Sequence, residues 1–168
     1  MFEKMKKAFG FSDNKSEEII YSPVAGEVVD ISTVKDPTFS EEILGKGVAI
    51  KPSIGKIFAP CNGTISMMFE TGHAVSLVSD DGADILIHVG LDTVSLKGQF
   101  YKTHVKNDDK VTKGDLLITF DIDGIVNAGY DIITPIVLCN TPHYSKIELL
   151  TNQQVKELDK IMILKKDS

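Results

Sequence analysis

Cysteine is scarce in this chain. Its 168 residues include two, Cys61 and Cys139, too few for a disulfide framework at this size, and no Cys-x-x-Cys pair offers half of a structural zinc site. A reducing cytoplasm is therefore the expected location. Long apolar runs are missing as well. No segment reaches membrane-spanning length, and Met1 to Gly10 lacks the apolar stretch of a signal peptide. Excess positive charge is absent too. A formal net charge of -6 argues against nucleic acid as a partner and suits a chain kept in solution by self-repulsion.

What is present is a hydrophobic content of 42%, enough to bury one sizeable core in one domain. Residues 1–18 are polar and charged and read as a flexible tail, so the domain is expected to span 19–168. Within the tail, Phe2, Met5 and Phe9 recur at helical spacing beside Lys4, Lys6 and Lys7, a pattern compatible with weak contact to an anionic membrane. A disordered tail fits the same residues when the protein is free in solution. From there on, short Val- and Ile-rich runs alternate with Gly, Pro, Asn and Asp, which predicts an all-β, antiparallel sandwich or barrel-like domain with few short helices. Strands are expected at 24–31, 46–51, 56–59, 63–69, 73–79, 83–89, 115–120 and 135–139. Short helices are expected at Phe39–Leu44, Ile122–Tyr130 and Asn152–Leu158.

A short repeat supports this architecture. Pro23-Val24-Ala25-Gly26-Glu27-Val28 is echoed by Pro60-Cys61-Asn62-Gly63-Thr64-Ile65, each copy placing a fixed φ and a permissive glycine just before a strand. A duplicated motif is expected. Lys113-Gly114-Asp115 reads as another structural turn.

Four histidines limit the chemistry available. His104 and His143 sit in polar, turn-like surroundings and read as solvated. His73 and His88 differ, because they flank a β-hairpin whose turn signal is Asp80-Asp81-Gly82. A two-residue Asp81-Gly82 turn pairs His88 with Val75, and the period-two alternation of side chains then puts both imidazoles on one face as diagonal neighbours. A slip of one residue would separate them. By pattern alone the pair reads equally as two independently satisfied histidines or as a working site.

The surrounding residues carry more. Ile87-His88-Val89-Gly90-Leu91-Asp92-Thr93-Val94 followed by Leu96-Lys97-Gly98, together with Thr71-Gly72-His73-Ala74, resembles the phosphorylation-site segments of the glucose-type enzyme IIA of the bacterial phosphoenolpyruvate-dependent sugar phosphotransferase system. Pro23-x-x-Gly26, Leu44 to Ile50, Pro60-x-x-Gly63-Thr64 and Lys113-Gly114-Asp115 agree as well, so the resemblance runs from about Ile19 to the C-terminus. One departure is Gln99-Phe100-Tyr101, where family members usually carry Glu-Gly-Phe. The bulky Phe100 is expected to alter that loop and to leave the site residues intact.

The resemblance implies a barrel-sandwich hybrid fold and a phosphohistidine carrier that uses no cofactor, ATP or metal. His88 would accept a phosphoryl group from the small carrier HPr and pass it to a cysteine of the IIB domain of a sugar-specific IIB/IIC permease. The Gly90 carbonyl would accept from Nδ1 of His88, His73 would stabilise the phosphoryl oxygens, and Thr71 would orient His73. Matching positions imply a partner-docking patch of Phe39, Ile43, Leu44, Phe69, Leu86 and Val94, rimmed by Asp36 and Asp92. Neutral imidazole suits the task, being a nucleophile near pH 7 with an ordinary pKa of about 6.5.

Three rivals are weaker. Paired histidines with Asp84, Asp92 or Glu70 nearby could hold zinc, but zinc peptidases on a related duplicated β architecture need a His-x-His pair, and that tripeptide does not occur. A lipoyl or biotin carrier needs a Met-Lys-Met or Asp-Lys-Ala hairpin, also absent. A regulatory binding role for the unphosphorylated protein is compatible with the carrier reading.

Overall fold

The computed structural model describes residues 17–166. Nearly all of the expected tail, including Phe2, Met5 and Phe9, lies outside the described residues. Glu17 and Glu18 already belong to the first strand, two residues ahead of the expected start of the domain.

Among the described residues, fourteen strands form three sheets, every pairing antiparallel. In chain order they are β1 (Glu17–Tyr21), β2 (Gly26–Asp30), β3 (Lys46–Pro52), β4 (Lys56–Phe58), β5 (Gly63–Met68), β6 (Ala74–Ser79) and β7 (Asp84–His88). After them come β8 (Tyr101–Thr103), β9 (Lys110–Val111), β10 (Leu116–Phe120), β11 (Thr134–Leu138), β12 (Lys146–Leu149), β13 (Gln153–Val155) and β14 (Lys160–Lys165). The large sheet runs β13-β2-β3-β11-β7-β6-β5-β9, and the two small ones run β1-β14-β12 and β4-β10-β8. This is the expected all-β sandwich. No helix of the described residues is long and apolar enough to cross a membrane.

Alternation along the large sheet sorts its side chains into two apolar clusters. Val28, Ile50, Val75, Leu77, Ile85, Ile87, Ile136 and Leu138 point to one face and pack with Ile20, Met162 and Leu164 of one small sheet and Ile57, Leu117 and Ile118 of the other. That is the main core. The intervening residues Val29, Ala49, Ala74, Leu86 and Val137 point to the opposite face, where Ile31, Val34, Phe39, Leu91 and Ile133 cover them.

The duplicated motif has a structural reason. At Gly26 an added Cβ would meet the Lys51 carbonyl oxygen at 2.1 Å, and at Gly63 the Val78 carbonyl oxygen at 2.3 Å, so each copy starts its strand where a neighbouring backbone passes too close for a side chain. The two copies also bond one another reciprocally. Phe58 N donates to Pro23 O at 2.7 Å, and Tyr21 N donates to Pro60 O at 3.0 Å, each donor lying two residues before its own copy's proline.

The helical expectations are partly corrected. Helix α1 spans Pro37–Ser40 rather than Phe39–Leu44, with Asp36 as N-cap and Pro37 in the first turn, and it stops before Glu42, whose φ of 56° is left-handed. Helix α2 spans Ile122–Asn127 and ends ahead of Gly129, whose φ is 97°. The third expected helix, Asn152–Leu158, is instead the edge strand β13, held by Gln153, Gln154 and Val155 pairing with Val28, Glu27 and Gly26. Partners far along the chain override a weak helical pattern there. Strand β14, with its run Ile161 to Leu164, escapes sequence reading because a short continuous apolar run has no period to identify it.

Candidate functional site

The hairpin that carries the histidines differs from the expected one by a single residue. Ala74 pairs with His88, and Ser79 N donates to Ala83 O at 2.8 Å, so the loop is Asp80-Asp81-Gly82, with Gly82 at φ 101°. Strict alternation from Ala74 would now send residue 73 to the face opposite His88. It does not, because β6 begins at Ala74 and the chain bends through Gly72, at φ 73°, just before it. The His73 and His88 rings meet edge-on, with centroids 5.1 Å apart at 80°. The expected pairing was one residue out, and the pair survives because His73 lies in a bend outside the ladder.

His88 is half-buried at the end of β7, on the same face as Leu86. Its cross-strand partner Ala74 has the small side chain that leaves room for two rings. Nδ1 of His88 donates to the Gly90 carbonyl at 2.7 Å. A carbonyl only accepts, so the proton of the neutral ring is on Nδ1 and Nε2 carries a free lone pair. Gly90 has a φ of 90°, and a Cβ there would meet Thr93 Cγ2 at 2.6 Å, which is why glycine is needed two residues after the histidine. Burial holds the His88 imidazole below the ordinary histidine pKa, against the opposing influence of the Gly90 hydrogen bond and of the carboxylates of Asp36 and Asp92.

His73 is only 4% exposed. Burial, with the neighbouring His88 ring, lowers its pKa to about 4, so it is neutral near pH 7. Its Nδ1 is hydrogen-bonded to Thr71 Oγ1. Phe69 meets its ring edge-on at 5.4 Å, and Phe39 tilts against His88 at 5.1 Å.

Of the residues expected to form the docking patch, Ile43, Leu44 and Val94 are exposed, at 66%, 40% and 53%. Phe69 is half-buried. Phe39 and Leu86 lie deeper than these. They are 4% and 9% exposed and form the floor beneath the histidines, packed in the second apolar cluster. Asp36 also has a local task, its Oδ1 accepting from Thr38 N at 3.0 Å, whereas Asp92 makes no capping bond to the turn Thr93–Leu96 that it precedes. The Asp-Pro start of α1 was a legible helix signal. His104 and His143 are exposed, as expected.

Phe100 occupies a left-handed conformation, φ 78°, at the position where glycine is usual. Its carbonyl accepts from Asp121 N at 2.9 Å, and its ring lies on Gly124 of α2, where a Cβ would come within 2.5 Å of it. The aromatic ring thus anchors the loop to that helix. Burial raises the thiols of Cys61 and Cys139 to about 12 and about 11, so neither is a thiolate near neutral pH.

The family described as phosphoenolpyruvate-dependent sugar phosphotransferase system, EIIA 1, matches residues 18–144. The chain is 48% identical over 146 residues to a PTS system beta-glucoside-specific EIIBCA component of Bacillus subtilis, a match that covers 87% of this chain and 23% of that protein. It is 44% identical over 140 residues to a PTS system glucose-specific EIIA component of Buchnera aphidicola, covering 82% and 87% of the two chains. It therefore spans about a quarter of the beta-glucoside EIIBCA components and most of the free-standing EIIA. Among solved structures, glucose permease IIA from Mycoplasma capricolum superposes with a TM-score of 0.82 at 33% identity, over 88% of this chain and 95% of that one. The chain belongs to the EIIA 1 family of the phosphoenolpyruvate-dependent sugar phosphotransferase system.

Proposed function

We propose that the protein is a phosphohistidine carrier in sugar uptake, with His88 as the phosphoryl acceptor. The observation that carries this reading is the hydrogen bond from Nδ1 of His88 to the Gly90 carbonyl, which leaves Nε2 as a lone-pair nucleophile beside a second, neutral imidazole. Nε2 attacks the phosphorus of phospho-HPr, the bond from phosphorus to the HPr imidazole breaks, and its electron pair returns to that ring. In the second transfer a cysteine thiolate of IIB forms the sulfur–phosphorus bond, and the pair of the breaking nitrogen–phosphorus bond returns to Nε2. Neither step needs ATP or a metal.

In this reading the Thr71 hydroxyl, paired with Nδ1 of His73, donates to it, so that the proton of that ring sits on Nε2. His73 then acts as a neutral donor to the phosphoryl oxygens, which suits a reaction governed by positioning and electrostatics. Partners dock on the exposed Ile43, Leu44 and Val94 over the Phe39 and Leu86 floor, and Asp36 and Asp92 attract their basic residues. HPr and a sugar-specific IIB/IIC permease are the partners that fit, which places the carrier on the cytoplasmic side.

The test is incubation with enzyme I, HPr and phosphoenolpyruvate, followed by mass-spectrometric location of acid-labile phosphate. The expected label is on His88, and it is lost in a folded His88→Ala variant. Unchanged labelling of that variant would overturn the assignment.

A further inference from the structure

We propose that Tyr101 is a positioning residue for the phosphorylation site, acting through the Val89 carbonyl to hold Gly90 as the acceptor that sets the His88 tautomer. This inference rests on the reading of His88 as the phosphoryl acceptor and adds a residue to it. Val89 lies between His88 and Gly90, and all its backbone polar groups are committed. Its N–H donates to the His73 carbonyl at 2.7 Å. Its carbonyl accepts twice, from Thr93 Oγ1 at 2.8 Å and from Tyr101 Oη at 2.7 Å. The plane of the Val89–Gly90 peptide is therefore tied to Tyr101.

Turning that plane changes the backbone angles on either side of it, Val89 ψ and Gly90 φ, and swings the Gly90 carbonyl relative to Nδ1 of His88. Glycine at position 90 cannot resist such a swing by itself, because without a Cβ it is permissive in the region around its φ of 90°. Something outside must hold it. Tyr101 is suited to do so because its ring is itself fixed, stacked on Phe120 with centroids 6.4 Å apart at 25°. Tyr101 also touches the other histidine's support. A Cβ on Gly72, next to His73, would lie 3.0 Å from Tyr101 Cβ, so β8 packs directly on the bend that brings His73 to His88. One side chain thus braces both histidine-bearing segments.

The experiment compares the wild-type protein with Tyr101→Phe, which keeps the ring and its stacking and removes only the hydroxyl, and with Tyr101→Phe/Thr93→Val, which strips both side-chain donors from the Val89 carbonyl. Long-range nitrogen–proton NMR correlations report the His88 tautomer. The wild type is expected to show the Nδ1–H form. Tyr101→Phe is expected to show a mixture of tautomers and about two- to tenfold faster exchange of the Nδ1 proton, the scale of one lost hydrogen bond, with acceptance from phospho-HPr slowed in proportion. The double variant is expected to exceed it on both readouts. An unchanged tautomer and exchange rate in folded Tyr101→Phe, whether or not its thermal stability falls, would overturn the positioning role. Failure of the wild type to accept phosphate on His88 would instead overturn the carrier reading, since the tautomer measurement needs no phosphoryl donor.

Discussion

The two faces of the eight-stranded sheet divide the work of this molecule. On one face Ile50, Ile85, Ile87, Ile136 and Leu138 are fully buried under the small sheets. On the other the sheet offers shorter side chains, Val29, Ala49, Ala74 and Val137, thinly covered by Phe39, Val34 and Leu91. Ile87 and His88 are consecutive, yet one is sealed in the main core and the other is half-open beside His73. Strand alternation lets a rigid core and a reactive site share one backbone without sharing side chains. The small residues of the second face leave space for two imidazoles and a phosphoryl group where large ones would fill it.

If that division is real, damage to the sealed face should lower stability and spare chemistry. Ile136→Ala is expected to destabilise the protein by about 2–5 kcal/mol, the lost transfer energy plus the cavity, while phosphoryl transfer at low temperature stays near the wild-type rate. Denaturant unfolding and transfer from phospho-HPr measure the two. A loss of transfer in a fully folded variant would show that the faces are coupled.

The histidine face should leave its mark on pH dependence. His73 titrates near 4 when folded and near the ordinary 6.5 when unfolded, so between these values the unfolded chain holds the extra proton. The contribution of His73 is therefore fully present above about pH 6.5 and is lost as pH falls toward 4. Unfolding midpoints from pH 7.5 to 4 should fall less steeply for His73→Gln than for the wild type. Equal slopes would mean that His73 is not buried as a neutral ring.

In kinetics the same residue should separate the two half-reactions. His73→Ala leaves the nucleophile in place, so acceptance from phospho-HPr is expected to slow modestly. Delivery to IIB is expected to slow on the order of 10²-fold, as for removal of one preorganised donor, and phosphorylated protein should accumulate. Separate single-turnover measurements of each half-reaction decide it, and wild-type rates in both would make His73 a bystander.

The smallest effect concerns the loop between the faces. Phe100 combines a left-handed φ with a ring packed on Gly124, so its two truncations should differ. Phe100→Gly loses the ring and relieves the backbone, whereas Phe100→Ala loses the ring and keeps the strain. The glycine variant is expected to be more stable than the alanine variant by about 1 kcal/mol, as read from thermal unfolding. Equal stability would mean that the loop changes conformation once the ring is gone.

Much of this was legible beforehand. The all-β class and eight of the fourteen strands among the described residues followed from alternation and punctuation, and the residues around His73 and His88 pointed to the family. The misses have physical causes. The hairpin register was one residue out because Asp81-Gly82 and Asp80-Asp81-Gly82 are both good turns, and the choice between them rests on partners such as Asn140, whose Nδ2 donates to the Gly82 carbonyl at 2.8 Å. The burial of Phe39 and Leu86 has no sequence signal, because it depends on what packs over them. The Val89 carbonyl with its two donors had no sequence signal, since Tyr101 is twelve residues away.

The sequence alone determined which side chains share a face within a strand, where the chain can turn, and that Gly90 follows His88 closely enough for its carbonyl to reach Nδ1. These are local, set by covalent geometry over a few residues. Only the tertiary structure decided what covers each face, and hence that His73 is sealed and neutral while His88 stays half-open. It also decided that a bend at Gly72, and not the ladder, brings the two rings together. Burial and desolvation depend on chain segments that meet only in the folded state, and no local pattern encodes which segments those are.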